Sequence, residues 1–220
     1  VNSSVHPAQQ HSLDSVAMPT SYNIPASTTT IEHVVARSRF IATVMFADSV
    51  EVARALLAER RVAMSDASHH VYAFRIGHGA SVIDGLSDDG EPTGTAGPPI
   101  MNVLRGSDLG DALIIVTRYF GGTKLGTGGL VRAYSEAAAL VLKECPITLK
   151  VFKGRLAVLL PYASLTLLKR ILPDYEAEML SETYSDAAEF TLELPLSRID
   201  ALTAALTEMT SGAAIIEPIP

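Results

Sequence analysis

Residues Ala112–Tyr119 (ALIIVTRY) read as the most buried strand in the chain, and they run straight into a loop with glycines at 121, 122, 126, 128 and 129. Beyond the loop, Gly126–Lys143 reads as a long helix, with Leu130, Val131, Tyr134, Ala137, Ala138 and Val141 on one face. A strand, a glycine loop and a helix start in this order leave free backbone N–H groups at the positive end of a helix dipole, where an anion is favoured. Lys124 and Arg132 add formal charge there, and so does Arg118 if its side chain turns the same way. The candidate anion- or RNA-binding set is therefore Arg118, Lys124, Gly126, Gly128, Gly129 and Arg132. Glycines that merely permit close helix–strand packing are the competing explanation. The loop is neither a Walker loop nor a Rossmann fingerprint, since the glycines are not followed by Lys-Ser/Thr and no Gly-x-Gly-x-x-Gly opens the unit.

A second segment, Ser87-Asp88-Asp89-Gly90-Glu91-Pro92-Thr93-Gly94-Thr95-Ala96-Gly97, places three carboxylates within four residues. Asp88, Asp89 and Glu91 suit either a Mg²⁺ site built from oxygens or an acid/base pair. The plainer alternative is a solvated loop whose Asp side chains cap their own turn amides. His69 and His70 sit side by side on a strand and so point to opposite faces, which excludes a shared metal ion. Cys145, the single cysteine, reads as a packed thiol and excludes an internal disulfide or a multi-cysteine zinc site. There is no Gly-x-Ser-x-Gly elbow and no His-Glu-x-x-His.

The chain has 220 residues, enough for one large domain or two small ones. Net charge is −7, so any contact with a polyanion must be local. No apolar run approaches a membrane span, and residues 1–20, polar and without a hydrophobic period, read as a flexible tail and not a targeting sequence. A cytoplasmic location is expected.

Strands are expected at Ile31–Val35, Arg39–Phe46, His70–Ile76 and Ser81–Leu86. A helix capped by Ser49 runs to about Arg61, and another starts near Pro98 or Pro99. Pro146 ends the long helix and marks the domain boundary, giving residues 21–145 and 146–220. The second part reads as strand Lys153–Leu160, helix Ala163–Leu172, hairpin Glu176–Tyr184 and Ala188–Leu194, helix Ser197–Met209 and strand Ala213–Glu217. That order is β-α-β-β-α-β, the ferredoxin-like split unit, with both helices on one face of a four-stranded antiparallel sheet. The fold class is α+β.

The acidic segment followed by Arg118–Tyr134 resembles the signature of the YigZ/IMPACT family, as do Ala67-x-His69 and Ser38-Arg39-Phe40-Ile41; His69 and Tyr119 are expected in the wall of that motif region. The resemblance spans about Tyr22 to Cys145, and the C-terminal unit resembles the extra domain of bacterial members. It implies an N-terminal domain with the fold of ribosomal small-subunit protein five, domain IV of elongation factor G and the galactokinase-class kinases. It also implies a C-terminal domain like domain V of elongation factor G. The eukaryotic relative regulates translation initiation through an N-terminal protein-binding domain with no counterpart in this sequence, so its partner is not carried over. For bacterial members the resemblance implies a nucleic-acid or ribosome-binding role without established catalytic residues. Two positions depart from the pattern: Val71 stands where relatives often have cysteine, and Pro98 where they often have a basic residue.

The expected function is translation-associated regulation, with the glycine loop on RNA or the ribosome. The alternative is an enzyme or binder for a phosphate-bearing small molecule, with Mg²⁺ held at the acidic loop. No cofactor is otherwise expected, and no membrane partner. A protein–protein adaptor working through the C-terminal unit is a third reading. Residues 21–145 hold 11 basic and 13 acidic residues, and residues 146–220 hold 6 and 10, so an RNA contact belongs on the first part.

Overall fold

The computed structural model describes residues 20–79 and 81–220, so the expected tail lies outside the described residues except for Thr20. The first part contains β1 (Ser21–Pro25), β2 (Thr29–Val35), β3 (Ser38–Phe46), α1 (Val50–Ala63), β4 (His69–Ile76), β5 (Ile83–Ser87), α2 (Gly97–Arg105), β6 (Ala112–Tyr119) and α3 (Gly126–Glu144). Five of its strands form one antiparallel sheet in the order β2-β3-β6-β4-β5.

Strand β6 lies at the centre, and alternate side chains enter different cores. Ala112, Ile114 and Val116 pack with Leu104 of α2 and Leu130, Tyr134, Ala137 and Val141 of α3. Leu113 and Ile115 pack with Ala53 and Leu57 of α1. A strand covered on both faces needs no polar alternation, which accounts for the run of apolar residues. Ser49 caps α1 as expected, its Oγ accepting the Val52 N–H at 3.2 Å.

The second part contains β7 (Ile147–Val151), β8 (Lys153–Leu160), α4 (Leu165–Ile171), β9 (Glu178–Tyr184), β10 (Ala188–Pro195), α5 (Ile199–Met209) and β11 (Ile215–Ile219). Four strands make an antiparallel sheet in the order β11-β8-β10-β9. Leu156, Val158 and Leu160 of β8 and Phe190, Leu192 and Leu194 of β10 meet Leu168 of α4 and Leu202 and Leu206 of α5 in one core. The molecule is thus a mixed α+β protein with several sheets.

One feature had no sequence signal. Strand β7, directly after Pro146, turns back to pair antiparallel with β1, from Ser21 opposite Val151 to Pro25 opposite Ile147. Both strands are five residues long, and β7 exposes Ile147, Leu149 and Val151 as well as Thr148, so no apolar–polar period of two marks it. Beneath the ribbon lies Asp111, 1% exposed, which accepts hydrogen bonds from Tyr22 Oη at 2.7 Å, the Gly77 N–H at 2.8 Å and Lys150 Nζ. Burial pushes the Asp111 carboxyl up, but these three donors outweigh it and hold it below the usual range.

Candidate functional site

The strand alternation that carries Ala112, Ile114 and Val116 under α3 carries Arg118 to the same face, at the end of β6. The side chain is enclosed, at 5% exposure, with its guanidinium 5.3 Å from the Phe40 ring and 5.6 Å from the Phe120 ring. Its Nη1 donates to Glu91 Oε1, which also accepts from Tyr134 Oη at 2.7 Å. Burial, followed by the Glu91 carboxylate, pushes the Tyr134 hydroxyl far above its ordinary value, so it remains a donor. Arg118 Nε is buried without a hydrogen-bond partner among the described residues. The charge expected to meet an anion is therefore committed to Glu91 from below.

The acidic loop is organised inward. Asp88 Oδ1 accepts from the N–H groups of Ala96 and Gly97 at 2.9 and 2.8 Å, and Oδ2 from Gly94 N–H at 2.8 Å. Burial pushes this carboxyl up, yet the three backbone donors hold it below its ordinary value. Asp88 thereby supplies the N-terminal cap that Ala96 cannot give α2. Asp89, at φ +46°, accepts from His70 N–H at 2.6 Å and from Arg61 Nη2. With Glu91 occupied by Arg118 and Tyr134, all three carboxylates have protein partners. Among the described residues no three acidic, histidine or cysteine side chains are grouped to hold a metal ion. The loop does not fit a Mg²⁺ cage.

His69 and His70 do face opposite ways. His69 Nδ1 donates to the Asp89 carbonyl at 2.8 Å, leaving Nε2 3.9 Å from Glu91 Oε1. His70 Nδ1 lies 3.1 Å from Thr117 Oγ1 on the α1 side, where burial above all lowers its pKa. Tyr119 also points away from Arg118 and donates to Asp66 at 2.9 Å. His69 and Glu91 thus share the Arg118 face, whereas Tyr119 does not.

Above Arg118 and Glu91 opens a cleft of about 270 Å³, walled by Pro92, Phe120, Lys124, Gly126, Thr127 and Leu130. Phe120 is 51% exposed. Helix α3 begins here without an acidic residue in its first turn and, among the described residues, without a side-chain cap for its first N–H groups. Lys124 is exposed at this end. Arg132 lies further along α3, exposed and paired with Glu136, and does not line the cleft.

The loop glycines divide by cause. A Cβ on Gly121 would overlap the backbone of Arg37 and Ser38 in the β2–β3 turn, so this glycine serves close packing. Gly122 and Gly126 have φ +83° and +72°, the left-handed region. Gly128 has neither reason, with nothing within 4 Å of a Cβ built there and a helical backbone. Phe120 and Tyr134 are the members of the site that sequence reasoning missed. A tyrosine in an apolar helix stripe needs a partner for its hydroxyl, which was the available signal for Tyr134.

These features define a two-part α+β protein with an uncapped helix start over a buried Arg–Glu pair. The description Impact N-terminal domain matches residues 36–142, and a domain of unknown function, DUF1949, matches residues 158–213. The chain is 36% identical to an IMPACT family member of Haemophilus influenzae, over 89% of this chain and 96% of that one. It is 33% identical to the IMPACT family member YigZ of Escherichia coli, over 87% and 95%. A solved structure described as a hypothetical protein superposes with a TM-score of 0.66 at 32% identity, covering 92% of this chain and 99% of that one. The chain belongs to the IMPACT family. No helix among the described residues is long and apolar enough to cross a membrane.

Proposed function

We propose that this protein is a translation-associated regulator that binds RNA, on the ribosome, through the cleft at the start of α3. The observation that carries the reading is Gly128. A glycine in a helix costs about 1 kcal/mol relative to alanine, and here neither packing nor a positive φ requires one. It keeps the backbone N–H groups of the first turn open to a ligand that approaches closely. The uncapped dipole and exposed Lys124 favour phosphate. The half-exposed Phe120 ring offers a stacking surface for the adjoining base. Arg118 holds that ring and the cleft floor in place and does not present its own charge.

The test is sedimentation of the full chain with ribosomes and isolated subunits at two salt concentrations, with Gly128→Asp and Lys124→Ala alongside. Arg118→Ala is unsuitable, since it strands Glu91. Wild-type binding that weakens with salt and drops at least tenfold in Gly128→Asp is the expected result. Wild-type protein remaining in the supernatant at low salt overturns the ribosome reading. A Gly128-dependent rise in Tm with a nucleotide, in the absence of ribosome binding, replaces RNA with a phosphate-bearing small molecule.

A further inference from the structure

Among the described residues, the four-stranded sheet of the second part is covered on one face only. Its other face is read directly from the register. Glu189, Leu159 and Ile215 form one cross-strand row, Thr191, Ala157 and Glu217 the next, and Glu193 and Arg155 lie in the third. Leu159 and Ala157 floor a shallow groove whose flanks are Ile215, Glu189 and Glu217, and Ile215 is 56% exposed. The cations of this face are already engaged. Arg155 Nε donates to Glu193 at 3.2 Å, and Lys153 Nζ is 3.5 Å from both Glu178 and Glu193. Glu189 and Glu217 have no ion-pair or hydrogen-bond partner among the described residues, and both are exposed.

We propose that this open sheet face is a docking surface for a lysine- and arginine-rich protein segment. Charge complementarity selects the occupant. An apolar floor with two free carboxylates diagonally across β8 suits a long cationic side chain, whose methylene stem lies on Leu159 and Ile215 while its head reaches a carboxylate. The strands from Lys153 to Ile219 and their connections carry five basic and ten acidic residues, which repels a nucleic-acid backbone. The two parts of the chain thus take opposite partners, a polyanion at α3 and a polycation here. This inference does not depend on the cleft binding RNA.

The test uses the full chain and a fluorescein-labelled lysine-rich peptide, with an oligouridylate of matched length as the opposing probe. Glu189→Gln/Glu217→Gln removes the two free carboxylates from exposed positions. Asp174→Asn/Glu208→Gln removes the same charge from a groove between α4 and α5 on the opposite layer. The first double variant is expected to weaken peptide binding about five- to tenfold, and the second less than twofold. Peptide-induced amide shifts should centre on Ala157, Leu159 and Ile215. Equal losses in the two double variants overturn the proposal, because the attraction is then diffuse. So does a wild-type protein that ignores the peptide at low salt. Oligouridylate shifting the Ala157 and Leu159 amides overturns it as well, making the face an RNA surface.

Discussion

Arg118 and Glu91 are joined by a hydrogen bond of 2.5 Å between the end of β6 and the acidic loop, and both side chains are within 6% of complete enclosure. Two segments that read as separate functional motifs are thereby one structural unit. Removing either partner leaves the other charge enclosed without its ion-pair partner. Arg118→Ala should lower unfolding free energy by about 3–5 kcal/mol, measured by urea denaturation. A loss under 1 kcal/mol would show that the pair is hydrated in solution.

Gly128→Asp separates stability from binding. An acidic side chain in the first turn of an uncapped helix interacts favourably with its dipole, and replacing glycine adds helix propensity. The variant should melt at or above the wild-type temperature while losing anion binding. A variant that unfolds more easily would mean Gly128 has a packing role hidden in the folded contacts.

Asp88 makes stability sensitive to acid. Its folded pKa is depressed, so the stabilisation is present above the unfolded pKa, near 4, and is lost as pH falls through the lower folded value. Asp111, depressed by Lys150, Tyr22 and Gly77, adds to the same slope. Asp88→Asn turns an acceptor facing Gly94 N–H into a donor, or leaves that N–H unpaired. It should cost about 1–3 kcal/mol at neutral pH and flatten the acid limb of a Tm-against-pH curve. An unchanged acid limb would assign the slope elsewhere.

Gly121→Ala tests the packing explanation directly. The new methyl meets the backbone of the turn at Arg37 and Ser38 and cannot rotate away. A loss of about 2–3 kcal/mol is expected, read by thermal melting, whereas Gly122→Ala meets open space and suffers only from its φ of +83°. Equal effects at the two positions would count against close approach as the cause.

Cys145 is buried, and that burial raises its thiol pKa. It should react with a disulfide reagent at pH 8 many times more slowly in the native protein than in urea. Comparable rates would show that the end of α3 opens readily.

The elements around β6 were legible because burial on two faces, caps and prolines leave local marks. The uncapped start of α3 was legible too, since glycines after a buried strand mark where the backbone is bare. What the sequence left open was the sign of each interaction. Nothing local distinguishes an Asp88 that caps its own loop from one that holds a metal, or an Arg118 that faces solvent from one that lies beneath Phe120. For Arg118 the choice depends on Glu91, 27 residues away, which is itself fixed by Tyr134 a further 16 along the chain. For Asp88 the partners are near, at Gly94, Ala96 and Gly97, but a metal would compete for the same oxygens. The β1–β7 ribbon depended on a still longer separation.

That ribbon sets an order of events during synthesis. Strand β1 leaves the ribosome long before β7, and the whole five-stranded sheet emerges between them. Until Lys150 appears, Asp111 holds its buried charge with Tyr22 and Gly77 alone. Closing so long a loop is slow relative to local pairing, so the nascent sheet assembles first and β1 is tied to β7 afterwards. A ribosome stalled before Lys150 would hold a sheet that is formed but not fastened.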